Sequence, residues 1–163
     1  MKSLNKWRND PELISYLGAP FRYINKETDD AWFQSYQKSR SSQVRCAIVT
    51  ERSQNAIGFV NLTDIDPVSL SCEFHILIGE SSRRGKGIGT EATRLMLEHA
   101  FGNLNMHRVW LKVLQQNKRA IKVYENLGFK KEGVLREAAY KQGKYHNFLL
   151  MSILQREFYR KQK

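Results

Sequence analysis

Six residues, Arg84-Gly85-Lys86-Gly87-Ile88-Gly89, constrain this chain more than any others. They stand where one periodicity gives way to another. Upstream, Ser71 to Gly79 alternates with period two, Cys72, Phe74, Ile76 and Ile78 on one face and Glu73, His75 and Leu77 on the other, which predicts a strand. Downstream, Gly87 to Phe101 places Ile88, Ala92, Leu95, Met96, His99 and Ala100 at helical spacing, with Gly102 as a stop. The glycines let the chain turn tightly and let backbone N–H groups approach a ligand closely. The first turn of the following helix adds unpaired N–H groups and a positive dipole end. The motif therefore predicts an anion site suited to a pyrophosphate. It is not a P-loop, because no Gly-Lys-Ser/Thr triplet closes it. It is not a dinucleotide fingerprint either, because the spacing differs and antiparallel strands come first.

The rest of the chain supplies the scaffold. Trp7 to Leu17 reads as a helix interrupted at Asn9-Asp10-Pro11, where Asp10 can cap and Pro11 can open the next turn. Thr28 is the expected N-cap of a second helix carrying Ala31, Trp32, Phe33 and Tyr36. Strands are expected at Val44–Thr50, Ala56–Leu62 and Ser71–Gly79, and, after the glycine-rich helix, at Arg108–Leu114. A further helix runs from the Asn117 cap through Ala120, Val123, Tyr124 and Leu127 to Gly128. Two more strands, near Phe129–Ala139 and Tyr145–Leu154, flank the turn Gln142-Gly143-Lys144. The order ααβββαβαββ implies an α+β (mixed α/β) fold with a central mixed sheet and helices on both faces.

With 163 residues and no Pro/Gly/Ser-rich linker, residues 1–163 read as a single domain. No apolar run is long enough to span a bilayer, and Met1 to Arg8 lacks the apolar stretch of a signal peptide, so the expected location is cytoplasmic, with no membrane partner. Cys46 and Cys72 lie in separate strands and the histidines are scattered, so reduced thiols and no metal are expected. The net charge of +11 favours an anionic partner. A basic nucleic-acid-binding domain is one reading of that charge, but no helix-turn-helix, zinc-finger or aromatic RNA-binding strand motif accompanies it.

From Ser71 to Leu154 the chain resembles the Gcn5-related N-acetyltransferase (GNAT) family. Arg84, Gly87 and Gly89 meet the family's phosphate motif, Gln/Arg-x-x-Gly-x-Gly/Ala. Asn117, Ala120, Tyr124, Gly128 and Phe129 meet its Asn-x-x-Ala-x-x-x-Tyr-x-x-x-Gly-Phe motif. Lys131-Glu132-Gly133 to Leu154 is similar to the ribosomal-protein and aminosugar acetyltransferase branch, with Asn147 where that branch usually has an aspartate. Trp7-Arg8-Asn9-Asp10-Pro11-Glu12 resembles the branch's first helix. A strand normally precedes that helix, and the six residues upstream of Trp7 cannot supply it. Either the sheet is one edge strand short or the start lies upstream.

The resemblance implies acetyl-CoA as cosubstrate and direct attack by an amine, without an acyl-enzyme. It implies that backbone amides from Gly85 through Lys86, Gly87, Ile88 and Gly89 to Thr90, behind Arg84, bind the pyrophosphate. The backbone of Ile78 and Gly79 is expected to pair with the pantetheine arm or to offer the oxyanion donor, and Asn117 to contact the same arm. Lys86, Lys118, Arg119 and Lys122 are candidates for the 3′-phosphate, each equally readable as surface charge. Tyr124 is the expected general acid, or else a core tyrosine. Glu73 is the first candidate for the base and His75 the second. The expected acceptor is a small-molecule or peptide amine, on a nucleotide-linked aminosugar or a protein N-terminus. A non-catalytic acetyl-CoA sensor and a homodimeric assembly stay open.

Overall fold

Asp10 and Pro11 set the first corner of the molecule. The Asp10 carboxylate accepts from Leu13 N at 3.1 Å. Pro11, with no N–H to leave unpaired, opens the helix. Helix α1 (Lys2–Arg8) therefore breaks cleanly into α2 (Pro11–Ser15). Helix α3 (Lys26–Lys38) starts earlier than the sequence suggests, because Asn25 and not Thr28 caps it, Asn25 Oδ1 accepting from Thr28 N at 2.9 Å. That shift moves Asp29 inside the first turn. There it is fully buried, accepts from Asn5 Nδ2 at 2.7 Å and pairs with Arg8, tying α3 to α1. The computed structural model describes residues 2–38, 42–50 and 53–161.

The sheet is formed by β1 (Val44–Thr50), β2 (Ser53–Asp66), β3 (Ser71–Ile78), β4 (Arg108–Leu114), β5 (Lys130–Lys141) and β6 (Lys144–Leu154). Its order is β1-β2-β3-β4-β6-β5, and only β3 and β4 run parallel. Among the described residues no strand precedes α1, and β1 is one edge. Helices α4 (Ile88–Glu98), α5 (Lys118–Leu127) and α6 (Gln155–Lys161) complete the chain. Trp7 of α1 packs edge-on against Phe59, while Val60 and Leu62, next in the alternation, join Met96 and Leu97 of α4 in the main core. Helices thus cover both faces of a mixed, mostly antiparallel sheet. Three local expectations are corrected. Strand β2 runs on to Asp66 past an irregularity after Thr63, with Asp64 at φ 49°. Helix α4 does not stop at Gly102 but loosens into a π-helical turn, His99–Asn103. Helix α6 lies past Leu154, where the sequence predicts no further element, and carries the buried Phe158.

The feature that positions the site is a divergence. Strands β3 and β4 pair only through Ser71–Arg108, Cys72–Val109 and Glu73–Trp110. Beyond that β3 stays with β2, and β4 stays with β6 to the Leu114–Phe148 pair. A wedge opens between the two strands, with one sheet edge on each side.

Candidate active site

The glycine-rich loop closes the wide end of the wedge. Gly85 and Gly87 both have φ 80°, where a Cβ is strained, and Gly87 is the N-cap of α4. The first bond inside this end of the helix is Glu91 N to Gly87 O at 3.0 Å. The amides of Ile88, Gly89 and Thr90 therefore have no partner within the helix. Arg83 and Arg119 line the same cleft, of about 550 Å³, with Arg84. The Arg119 guanidinium lies so close over Gly85 that a Cβ there would sit 2.6 Å from its Nη2.

Arg84 is held by the backbone at the end of β3. Its Nε donates to Ile78 O and its Nη2 to Gly79 O, both at 3.0 Å, which pins the loop to the end of β3. The Gly79 amide donates to Ile57 O at 2.9 Å, so it is already used. This bond makes Gly58–Ile78 a pair without mutual hydrogen bonds and turns the Ile78 N–H toward the wedge. Of the two residues, Ile78 keeps a free donor there.

Helix α5 forms the other wall. Asn117 Oδ1 caps it by accepting from Ala120 N at 3.1 Å, and its Nδ2 donates to Tyr16 O at 3.3 Å. Gly128, at φ 105°, ends it. Tyr124 is buried, packed against Phe74 (centroids 6.2 Å apart) and Phe129 (5.6 Å). Burial pushes its phenol up to about 12, so the proton is held at neutral pH. Its ring lines the loop-side cleft and also a second cavity, of about 900 Å³. Tyr124 is thus a core ring whose edge faces open space.

Glu73 lies on that second cavity and is buried, not surface-facing. Lys112 Nζ stands 3.3 Å from Glu73 Oε1, and His75 Nε2 3.6 Å from Glu73 Oε2. Desolvation raises the Glu73 carboxyl pKa, with Lys112 opposing and Asp64 reinforcing. His75 is turned toward Thr63, its Nε2 2.9 Å from Oγ1, and desolvation lowers its pKa. The sequence reading missed Lys112, Asp64 and Arg83. Lys112 follows only from the strand pairing: Glu73 pairs with Trp110 in register, and alternation then puts Lys112 on the same face.

Of the other candidate cations, Arg119 lines the loop-side cleft, and Lys118 lines a neighbouring groove near α2 and the β5–β6 hairpin. Lys86 and Lys122 line neither. Asn147 is accounted for structurally. Its Oδ1 accepts from Glu137 N at 2.8 Å and its Nδ2 donates to Gln115 Oε1 at 3.0 Å, which braces the irregular stretch of β5. Both cysteines are free thiols. Cys72 is buried and pushed up to about 12, unfit as a nucleophile. Among the described residues no group of metal-capable side chains gathers, and no helix is long and apolar enough to cross a membrane.

Residues 1–130 match the family described as "Acetyltransferase (GNAT) domain". The chain belongs to the GNAT acetyltransferases. This GNAT chain is 33% identical over 140 residues to the spermidine N(1)-acetyltransferase of Escherichia coli K12, covering 84% of the chain and 75% of that relative. It is 29% identical over 160 residues to the spermidine N(1)-acetyltransferase of Vibrio cholerae serotype O1, covering 97% and 89%. Its fold matches the crystal structure of spermidine N-acetyltransferase from Vibrio cholerae in complex with CoA and spermine, with TM-score 0.90, 26% identity, 97% of this chain and 91% of that one covered. The chain is an N-acetyltransferase acting on amines, and its acyl donor is acetyl-CoA.

Proposed function

We propose that transfer takes place where the two cavities meet, at Tyr124, with the cofactor in the loop-side cleft and the acceptor amine in the wider cavity beside Glu73. One observation carries this reading. Tyr124 lines both spaces, with the free amides and arginines beyond it on one side and a buried carboxylate on the other. Acetyl-CoA, when bound, supplies an acyl group activated as a thioester. The cleft fits it: Ile88, Gly89, Thr90, Arg83 and Arg119 would meet the phosphates, and the outward N–H of Ile78 would meet the extended arm.

The chain's own groups then handle protons. The Glu73 carboxylate takes a proton from the incoming ammonium, which must become a free amine before it can attack. The raised Glu73 pKa makes that carboxylate a better acceptor than an exposed one. The Tyr124 phenol gives its proton to the departing sulfur. Cys72 is too buried and too basic a thiol to carry the acyl group, which supports direct attack.

For the acceptor, a small aliphatic polyamine is the first class to test. The relatives reported above are named for spermidine. The overall charge of +11 argues against a cationic acceptor only if it is felt locally. On this cavity Arg45 stacks on Trp32, 4.9 Å from the centroid, and Lys112 is matched by Glu73. Asp64 remains as a second carboxylate on the wall. The test is thiol release from acetyl-CoA against spermidine, an aminosugar nucleotide and Ala- or Ser-terminated peptides. Spermidine should turn over fastest. No thiol release with any amine would overturn the reading.

A further inference from the structure

Lys141 is a buried cation without an anion. It is the last residue of β5, only 8% exposed, in a strand whose other side chains are mostly exposed. Among the described residues no carboxylate stands within ion-pair distance of it. Its ammonium donates instead to two backbone carbonyls, Ile14 O at 3.0 Å and Ala19 O at 2.6 Å. Desolvation lowers its pKa. A buried ammonium is costly unless its donors are matched, so its position calls for a role.

The two carbonyls are the ends of one short segment. Ile14 lies in the last turn of α2, its carbonyl also accepting from Leu17 N at 3.1 Å, and Ala19 lies five residues on. One ammonium therefore closes residues 14–19 into a strap. Tyr16 and Leu17, inside it, line both the loop-side cleft and the wider cavity, and Gly18 and Ala19 line the wider cavity. Two further contacts seat the strap on the site. Asn117 Nδ2 donates to Tyr16 O at 3.3 Å. Gly18 rests on Phe148, where a Cβ would come within 3.1 Å of the ring.

We infer that Lys141 is a positioning residue for the amine: it holds the strap 14–19 as a wall of the acceptor cavity, from the tip of the β5–β6 hairpin, whose Phe148 lines the same cavity. The inference rests on the wider cavity being the acceptor site. Leu17 and Tyr16 can present a fixed surface only while both strap ends are tied. Lys141 lines neither cavity, and Gly18 and Ala19, at the strap end it holds, line only the wider one, so its loss acts on acceptor recognition first.

The test compares Lys141→Met, which keeps the length of the side chain and removes the donors, with Lys141→Cys in a Cys46→Ser background. Alkylating that cysteine with 2-bromoethylamine restores an ammonium at nearly the same reach; Cys72 is buried and protected. For Lys141→Met the KM for spermidine should rise tenfold or more, while kcat and the acetyl-CoA Kd change less than about threefold. Backbone hydrogen exchange at Leu17–Ala19 should speed up, and alkylation of the Cys variant should recover most of the KM. Unchanged KM and unchanged exchange would overturn the inference. So would equal damage to acetyl-CoA binding or loss of the fold in Lys141→Met, since the lysine would then brace the whole domain. Failure of the proposed function looks different: the unaltered protein itself would then release no thiol with any amine.

Discussion

The indole of Trp7 occupies the space that a side chain on Gly79 would need. A Cβ built at Gly79 falls 2.1 Å from the ring. Trp7 is 1% exposed, and its Nε1 donates to Glu80 Oε1 at 3.2 Å. The first helix is therefore docked on the end of β3, one residue past Ile78. Gly79 serves this close approach, and that, more than contact with a ligand, explains the glycine. Gly79→Ala forces the ring away from a fixed backbone. We predict a loss of about 1–3 kcal/mol in urea unfolding, the range for overpacked sites, with weakened acetyl-CoA binding through displacement of the β3 end. A variant as stable as the parent would contradict the docking.

The buried Asp29 gives a second stability prediction. Its partners, Arg8 and Asn5, both lie on α1. Asp29→Ala leaves Arg8 partly buried with no carboxylate and removes the tie between α3 and α1. The expected cost is about 3 kcal/mol, the low end for breaking a buried pair, because Arg8 is still partly solvated. Asn5→Ala should cost less, since it removes a single neutral donor. Thermal or urea unfolding checks the order.

The loop glycines separate strain from space. No atom stands within 4 Å of a Cβ at Gly87, but its φ of 80° disfavours any β-branched residue. Gly89 lies in the cleft lining, and its Cβ would meet only Ile78 at 3.8 Å. Gly87→Val should distort the amide cradle, and Gly89→Val should fill it. The unaltered protein should gain about 2.7 kcal/mol of stability at acetyl-CoA concentrations 100 times its Kd. Both variants should lose that gain, read as the shift in Tm. A full shift in both would remove the cradle from this loop.

What could be read from the sequence follows how local each feature is. The Asp10-Pro11 corner, the Asn117 cap, the glycine-rich loop and the Gln142-Gly143 turn are fixed by neighbouring residues, and each stands where its residue types point. Apart from the Thr28 cap, which a near neighbour took, the misses are long-range. Thr28 lost the cap to Asn25, and Asp29 went inside because Arg8 and Asn5 wait there. Arg84 matched a phosphate motif, yet it closes back on two carbonyls that only the end of β3 brings near. Lys112 beside Glu73 depends on which strands are neighbours, and Lys141 beside Ile14 on where a hairpin lands. Spacing along the chain carries neither.

Tyr124 holds its proton at neutral pH and has no hydrogen-bond partner among the described residues. Tyr124→Phe keeps the packing with Phe74 and Phe129 and removes the acid. The rate of acetyl transfer should fall on the order of a hundredfold or more, while the acetyl-CoA Kd stays within about twofold. Stopped-flow thiol release and isothermal titration separate the two. An undiminished rate would make Tyr124 a core residue alone.

The central claim is that Glu73 takes the acceptor's proton next to Tyr124, and the pH dependence of turnover tests it most directly. Burial raises the Glu73 pKa, so the carboxylate is lost as pH falls through that raised value, and kcat/KM should fall with it. Glu73→Gln keeps the size and removes the basicity. Its rate should be depressed at pH 7 and recover in part toward the amine's own pKa, about 10 for an alkylammonium, where free amine is present without help. Acetyl-CoA binding should be unchanged. A Glu73→Gln enzyme with the parent's pH–rate profile would contradict the account and pass the proton to His75 or to water.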